Sequence, residues 1–159
     1  MKRSVHLWVN GDEVEVVVKS STLLLDVLRE SLGLTGARRG CETSYCGACT
    51  VLLDGQTAHS CTILAALVGD RKITTIEGLT NDGKLDPLQE SFIEHNGFQC
   101  GYCTPGMILA AKALLLESPD PSEAEVRRAI DGNLCRCTGY QKIVKSVMDG
   151  ARKYREAKI

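Results

Sequence analysis

The chain has 159 residues, enough for one ordinary domain or two small ones with a buried core, and too few for a large multi-cofactor enzyme. Apolar residues make up 43%, charged residues 25% and aromatics 4%, a globular composition that excludes disorder and collagen-like repetition. Nineteen basic against 20 acidic side chains leave a net charge of −1 spread over both halves, which speaks against a nucleic-acid or membrane surface.

Val5, Leu7 and Val9 alternate, Asn10-Gly11 supplies a hairpin turn, and Val14, Val16 and Val18 return, so the chain opens with a β-hairpin. Ser21 or Thr22 is placed to cap a helix with apolar positions Leu24, Leu25, Val27, Leu28 and Leu32, ended by Gly33. The run from Gly36 to Cys49 reads as loop. A second hairpin follows, Thr50 to Leu53 and Gln56 to Cys61 about the turn Asp54-Gly55, and then a last strand from Lys72 to Ile76. Two hairpins and a helix crossing a small mixed sheet describe a ferredoxin-like β-grasp module over residues 1–78.

Beyond Gly78 the pattern turns helical, with Thr80 to Lys84 as linker. Asp86-Pro87-Leu88-Gln89 forms a capping box opening a helix towards Asn96. Met107 to Leu116 is apolar almost all round and predicts a central helix stopped by Ser118-Pro119. Ser122 to Glu125 caps a third helix, and Ile143, Val147, Ala151 and Tyr154 stripe a fourth. The expected fold class is therefore α+β: a plant-type ferredoxin-like domain over residues 1–78, then a four-helix bundle-like domain over 79–159.

Eight cysteines are the unusual feature of this composition. Lys2 and Arg3 precede a stretch holding Ser4, His6, Asn10 and Gly11, too polar for a secretory leader, and no run reaches the length of a membrane span. The expectation is a cytoplasmic chain, where clustered cysteines stay reduced and hold metal or do redox work. Cys41, Cys46, Cys49 and Cys61 are spaced C-x4-C-x2-C-x11-C, and the first three match the plant-type 2Fe-2S pattern. Gly40 and Gly47 would give this tight loop its torsional freedom, letting N-H groups point at sulfur and raise the potential of the reduced form. A four-cysteine zinc site is the rival, although zinc sites usually pair two short knuckles.

Cys100, Cys103, Cys135 and Cys137 form the second quartet, C-x2-C-x31-C-x-C, placed at the mouths of predicted helices whose N-terminal dipoles favour an anionic cluster. By spacing alone this quartet suits zinc or iron-sulfur equally, and C-x-x-C alone could be a thiol-disulfide pair. His6, His59 and His95 share no spacing with the cysteines and read as surface or edge residues. Arg38 and Arg39 either offset cluster charge and steer a partner or are simply solvated. Tyr45, Tyr102 and Tyr140 adjoin cysteines, where they would shield clusters from water or merely pack. No paired carboxylates, G-x-S-x-G, P-loop or G-x-G-x-x-G accompanies them, so no substrate-converting or nucleotide-binding site is expected in this chain.

Three stretches, Gly40-Cys41-Glu42-Thr43-Ser44-Tyr45-Cys46-Gly47-Ala48-Cys49-Thr50-Val51, Gln99 to Met107 and Gly132 to Tyr140, together resemble the 2Fe-2S subunits or domains of the molybdenum hydroxylase (xanthine oxidase) family. The resemblance runs from Val5 to about Ala151. It implies a 2Fe-2S cluster on each quartet, the C-terminal one nearer a molybdenum-pterin cofactor and the N-terminal one nearer FAD, with electrons passing in that order. It also implies that Gln99 hydrogen-bonds the pterin and that Cys137 places its sulfur near a pterin amino group. Without the resemblance Gln99 reads as a residue satisfying nearby backbone.

In this family, hydroxylation with water-derived oxygen leaves two electrons on molybdenum. The implied partners are a large molybdenum-binding and a medium FAD-binding subunit, in a dimer of heterotrimers. The loop Glu42 to Tyr45 is similar to separately encoded small subunits, those of aerobic carbon monoxide dehydrogenase and of heterocycle hydroxylases. Two rival readings are a zinc-stabilised interaction module and a free-standing ferredoxin-type partner working without molybdenum.

Overall fold

A computed structural model describes residues 2–80 and 82–157, so Asn81 of the expected linker and the domain ends Met1, Lys158 and Ile159 lie outside the described residues. Strands β1 (Lys2–Val9) and β2 (Asp12–Lys19) pair antiparallel with Leu7 opposite Val14 and Val9 opposite Asp12. Asn10 and Gly11 both take positive φ at the turn, as a two-residue hairpin connection requires. Strands β3 (Thr50–Leu53) and β4 (Gln56–His59) form the second hairpin, and β5 (Lys72–Thr74) lies between the hairpins, parallel to β1 and antiparallel to β3. The order is β2-β1-β5-β3-β4, the mixed sheet that two hairpins and a crossing helix imply.

The crossing helix departs from expectation. α1 (Leu24–Asp26) is one short turn that continues as a wider π-type helix over Val27–Ser31. Its N-cap is Leu23, with no side-chain cap, because the Thr22 hydroxyl instead accepts the N-H of Lys19 at 3.1 Å to close the preceding turn. Packing holds this helix in place: Leu24, Leu25, Val27 and Leu28 are fully buried against Leu7, Val51 and Ile73. The strand and hairpin ends are also shorter than their patterns, since Ser60–Thr62 and Ile76–Leu79 wind into single 3-10 turns.

Four α-helices follow among the described residues: α2 (Pro87–Glu94), α3 (Thr104–Glu117), α4 (Glu123–Ile130) and α5 (Gln141–Ala157). Both capping boxes form, Asp86 with Gln89 and Ser122 with Glu125. α2 stops at Glu94, short of Asn96, whose positive φ breaks the helix. A second core gathers Leu88, Phe92, Met107, Val126, Ile130, Ile143 and Val147. α2 and α5 approach so closely that a Cβ at Gly150 would lie 2.7 Å from a Leu88 methyl. At the other end of this contact the buried Asp86 cap also accepts from Lys112 of α3 at 3.0 Å and from the Tyr154 hydroxyl of α5. Burial first, and the neighbouring Asp86 second, push the Tyr154 hydroxyl above its ordinary pKa.

α3 joins the two halves. It packs against β3, whose four residues are all buried, and so β3 is covered on both faces while the rest of the sheet has one face on the first core. This contact brings the N-terminus of α3, with Cys103 as its N-cap, beside the loop that leads into β3.

Candidate metal centres

The loop from Gly36 to Cys49 carries three cysteines on irregular backbone. Glu42 and Ser44 take φ of 57° and 60°, and the turns they make aim the N-H groups of Thr43, Tyr45 and Cys46 at Cys41 Sγ, at 3.4, 3.3 and 3.2 Å. Successive N-H groups converging on one atom form an anion-binding concavity. The Thr43 side chain, followed by these backbone donors, lowers the Cys41 pKa to about 6. Gly40 acts by space and not, as expected, by torsional freedom. Its φ is not in the left-handed region; what it supplies is space, since a Cβ there would stand 2.7 Å from Cys46 Sγ. Gly47, with φ of 70°, does supply torsional freedom.

Cys49 and Cys61 complete this quartet from inside the first core. Both are buried, Cys49 lies against Cys61, and Ser60 ties the 3-10 turn to the Cys49 carbonyl through its hydroxyl at 2.8 Å. Burial pushes the Cys49 thiol up to about 12. The Cys49 thiol raised by burial and the Cys41 thiol lowered by donors describe a site whose inner wall is apolar and whose rim is polar.

The second quartet converges as well. Cys137 Sγ lies 3.6 Å from Cys100 Sγ, and Cys103 and Cys135 face each other, with the Cys103 thiol raised to about 12 chiefly by burial. Burial also opposes ionisation of Cys135, but the Thr138 hydroxyl and N-H, at 3.1 and 3.5 Å from its sulfur, outweigh it and lower its pKa. Cys100 and Cys137 are exposed. The helix-mouth expectation holds for α3, while Cys135 and Cys137 sit on a turn before Gln141 that Tyr140 closes, accepting the Cys135 N-H at 2.9 Å and donating to Asn133 O at 3.2 Å.

The two quartets face one another. A cleft of about 240 Å³ is lined by Cys41 and Cys46 from the first and by all four cysteines of the second. Leu134 donates its N-H to Cys46 O at 2.9 Å, and the Tyr102 hydroxyl donates to Arg39 O. Gln99 stands beside Cys137, donating to its carbonyl at 3.0 Å, which is the backbone-satisfying role read from its position alone.

Of the flanking residues, the Tyr45 side chain is 74% exposed, whereas Tyr102 and Tyr140 bond backbone beside the cysteines. Arg39 is an ion pair with Asp26 at 2.5 Å and with Glu42, bonds that raise its pKa, so it is not a free charge beside the loop. Arg38 lies over the Tyr102 ring at 5.5 Å. His95 is half-buried at the edge of α5, with Nε2 3.2 Å from Asp149. Asn133 and Leu134 lie in the stretch Gly132 to Tyr140 that carries the resemblance, but nothing in their residue types or spacing assigned them a role.

Two family models match, a 2Fe-2S iron-sulfur cluster binding domain over residues 7–76 and a [2Fe-2S] binding domain over residues 75–148. Over 146 residues the chain is 48% identical to the nicotinate dehydrogenase small FeS subunit of Eubacterium barkeri, covering 92% of this chain and 93% of that one. It is 50% identical over 145 residues to the nicotine 6-hydroxylase small subunit of Paenarthrobacter nicotinovorans, covering 91% and 87%. The crystal structure of quinoline 2-oxidoreductase from Pseudomonas putida 86 superposes with a TM-score of 0.94 at 42% identity over 99% of both chains. The chain belongs to the molybdenum hydroxylase family, among its 2Fe-2S subunits.

Membership decides what spacing left open. A molybdenum hydroxylase iron-sulfur subunit carries electrons, and the zinc-stabilised module without redox role falls. The donor sets agree: soft thiolates in fours, sulfur-directed N-H donors and an apolar inner wall are what a 2Fe-2S cluster needs. The chain is the iron-sulfur subunit of a molybdenum-dependent oxidoreductase, its relatives above are named as small subunits, and no helix among its described residues is long and apolar enough to cross a membrane.

Proposed function

We propose that this subunit, working in the cytoplasm, connects a molybdenum-pterin cofactor in a large partner subunit to FAD in a medium one, in a dimer of heterotrimers. Cys100, Cys103, Cys135 and Cys137 hold the cluster on the pterin side, and Cys41, Cys46, Cys49 and Cys61 hold the cluster on the flavin side, with residues 1–78 and 79–159 as the two ligand-bearing domains. When bound, each cluster supplies one-electron redox chemistry.

The chain's own residues do the rest. The carrying observation is the shared cleft, where Leu134 N-H bonds Cys46 O, so that ligands of the two quartets are linked by backbone and one hydrogen bond. Exposed Cys100 and Cys137, with Gln99 beside them, form the edge that meets the pterin-bearing partner, where Gln99 exchanges its bond to Cys137 O for one to the pterin. The N-H donors around Cys41 offset negative charge on that side, favouring the reduced state. Buried Cys49 and Cys61 keep water from the inner sulfurs.

Metal analysis and spectroscopy test this reading. The assembled subunit should hold about four irons and four acid-labile sulfides and show two distinct paramagnetic centres on reduction. A colourless protein with about two zincs, or one centre in a fully loaded sample, overturns it. Purification from the native host should also bring along the two larger subunits with molybdenum and flavin.

A further inference from the structure

Asn133 stands in the turn after α4 and is 4% exposed. Its amide nitrogen donates to Gly47 O at 2.8 Å and to Thr50 Oγ1 at 3.1 Å, across more than eighty residues of sequence. Gly47 lies between Cys46 and Cys49, while Asn133 lies just before Cys135. Both hydrogens of a buried amide are thus spent on the opposite cysteine loop and the first residue of β3.

The surroundings leave no slack. A Cβ at Gly47 would lie 2.4 Å from Gly132 O and 2.7 Å from the Asn133 amide nitrogen. A Cβ at Gly106, in the first turn of α3, would lie 2.5 Å from Gly47 O and 2.7 Å from the same nitrogen. Asn133 is therefore enclosed by the Cys46–Cys49 loop, the start of β3 and the helix capped by Cys103. These are elements of both quartets, and Asn133 is the side chain that bonds them at this point. Gly47 O also accepts from Thr50, through its hydroxyl at 2.6 Å and its N-H at 3.1 Å, so it keeps partners if Asn133 is changed.

We propose that Asn133 is a positioning residue: its amide sets the separation and orientation of the two cluster-binding loops, and through them the rate at which electrons pass between the clusters. The proposal rests on the assignment of one cluster to each quartet. Asn133→Asp keeps the shape, removes both donors and puts a carboxylate against Gly47 O. The adjoining bond from Leu134 N-H to Cys46 O then loses its lateral support.

The test uses the full chain loaded with both clusters, as wild type, Asn133→Asp and Thr50→Val. Two readouts are independent of enzyme activity: hydrogen exchange at the Leu134 amide, and the magnetic interaction between the two reduced clusters. In Asn133→Asp the Leu134 amide should exchange roughly ten- to hundredfold faster, while that of Val147 in α5 is unchanged. The magnetic interaction should shift with both cluster signals retained, and electron passage between clusters should slow by about tenfold or more. Thr50→Val, which takes one acceptor from Asn133 and leaves the other, should show the same changes to a smaller degree, and it serves if Asn133→Asp does not assemble. Wild-type exchange and magnetic interaction in an assembled Asn133→Asp, or in Thr50→Val when the first variant does not assemble, overturn the proposal. A wild-type chain with a single cluster signal overturns the ligand assignment instead, which keeps the two failures distinct.

Discussion

Leu134 hangs by its backbone N-H from the carbonyl of Cys46, at 2.9 Å, so the residue before a cysteine of one quartet is bonded to a cysteine of the other. The consequence is directional: each quartet has an outer edge of its own, and the two share an inner one. Removing ligands from either side should therefore break the relay in different places.

Cys46→Ala should leave the C-terminal cluster in place and halve the iron, to about two per chain. In the assembled complex, substrate would still reduce molybdenum, but flavin reduction would stop. Cys103→Ala should interrupt the relay at its entrance, so that flavin is not reduced although the N-terminal cluster signal persists. Rapid-mixing spectroscopy of both variants checks this order, and flavin reduced at the wild-type rate in Cys46→Ala refutes it.

Gly47→Ala should cost the N-terminal cluster more than Gly139→Ala does. The backbone there has φ of 70°, and the new Cβ would meet Gly132 O at 2.4 Å. Left-handed strain alone costs about 1–3 kcal/mol, and the clash falls on backbone that cannot rotate away. Gly139→Ala, at φ of 62° with nothing within 4 Å of the added Cβ, is the control that carries strain without collision. Iron content and the visible absorption of purified variants separate the two.

Phe92→Ala should destabilise the helical half by about 3–5 kcal/mol, the range for deleting a buried ring. Phe92 is 1% exposed, in the second core and in contact with Gly97, so the cavity cannot fill by a small shift. Denaturant melts followed by circular dichroism measure the loss. A change under about 1 kcal/mol would mean that this core is far looser than its geometry indicates.

Asp149 links α5 to α2 and should make stability fall in acid. Burial opposes its charge, but Arg152, Ser91 and His95 outweigh that and hold its pKa at about 2, below the usual 3.8. A carboxylate that stays charged longer when folded contributes stability that is complete above about pH 4 and is lost as pH falls towards 2. Arg152 is half exposed, so water screens part of the effect and the contribution is on the order of 1–2 kcal/mol. Asp149→Asn should therefore be less stable than wild type at pH 7 and equal to it near pH 2; a constant difference across that range would locate the effect in packing instead.

Much of this protein was legible in the chain itself, for a definite physical reason. Alternation in Val5, Leu7 and Val9, the Asn10-Gly11 turn, and the Asp86 and Ser122 capping boxes are local signals, decided by residues within a few positions of each other. The first cysteine quartet was equally plain, because three cysteines spaced C-x4-C-x2-C form a pattern that little else produces, whereas the spacing of the second left zinc and iron-sulfur open. Tertiary packing decided what depends on distant neighbours. It turned Thr22 from helix cap to turn closure, gave Gly40 a role of space in place of torsion, and set His95 beside Asp149 of α5. It also set Asn133 and Leu134 against the Cys46 loop, an arrangement no local pattern could announce, since hydrogen bonds spanning more than eighty residues exist only once α3 has packed on β3.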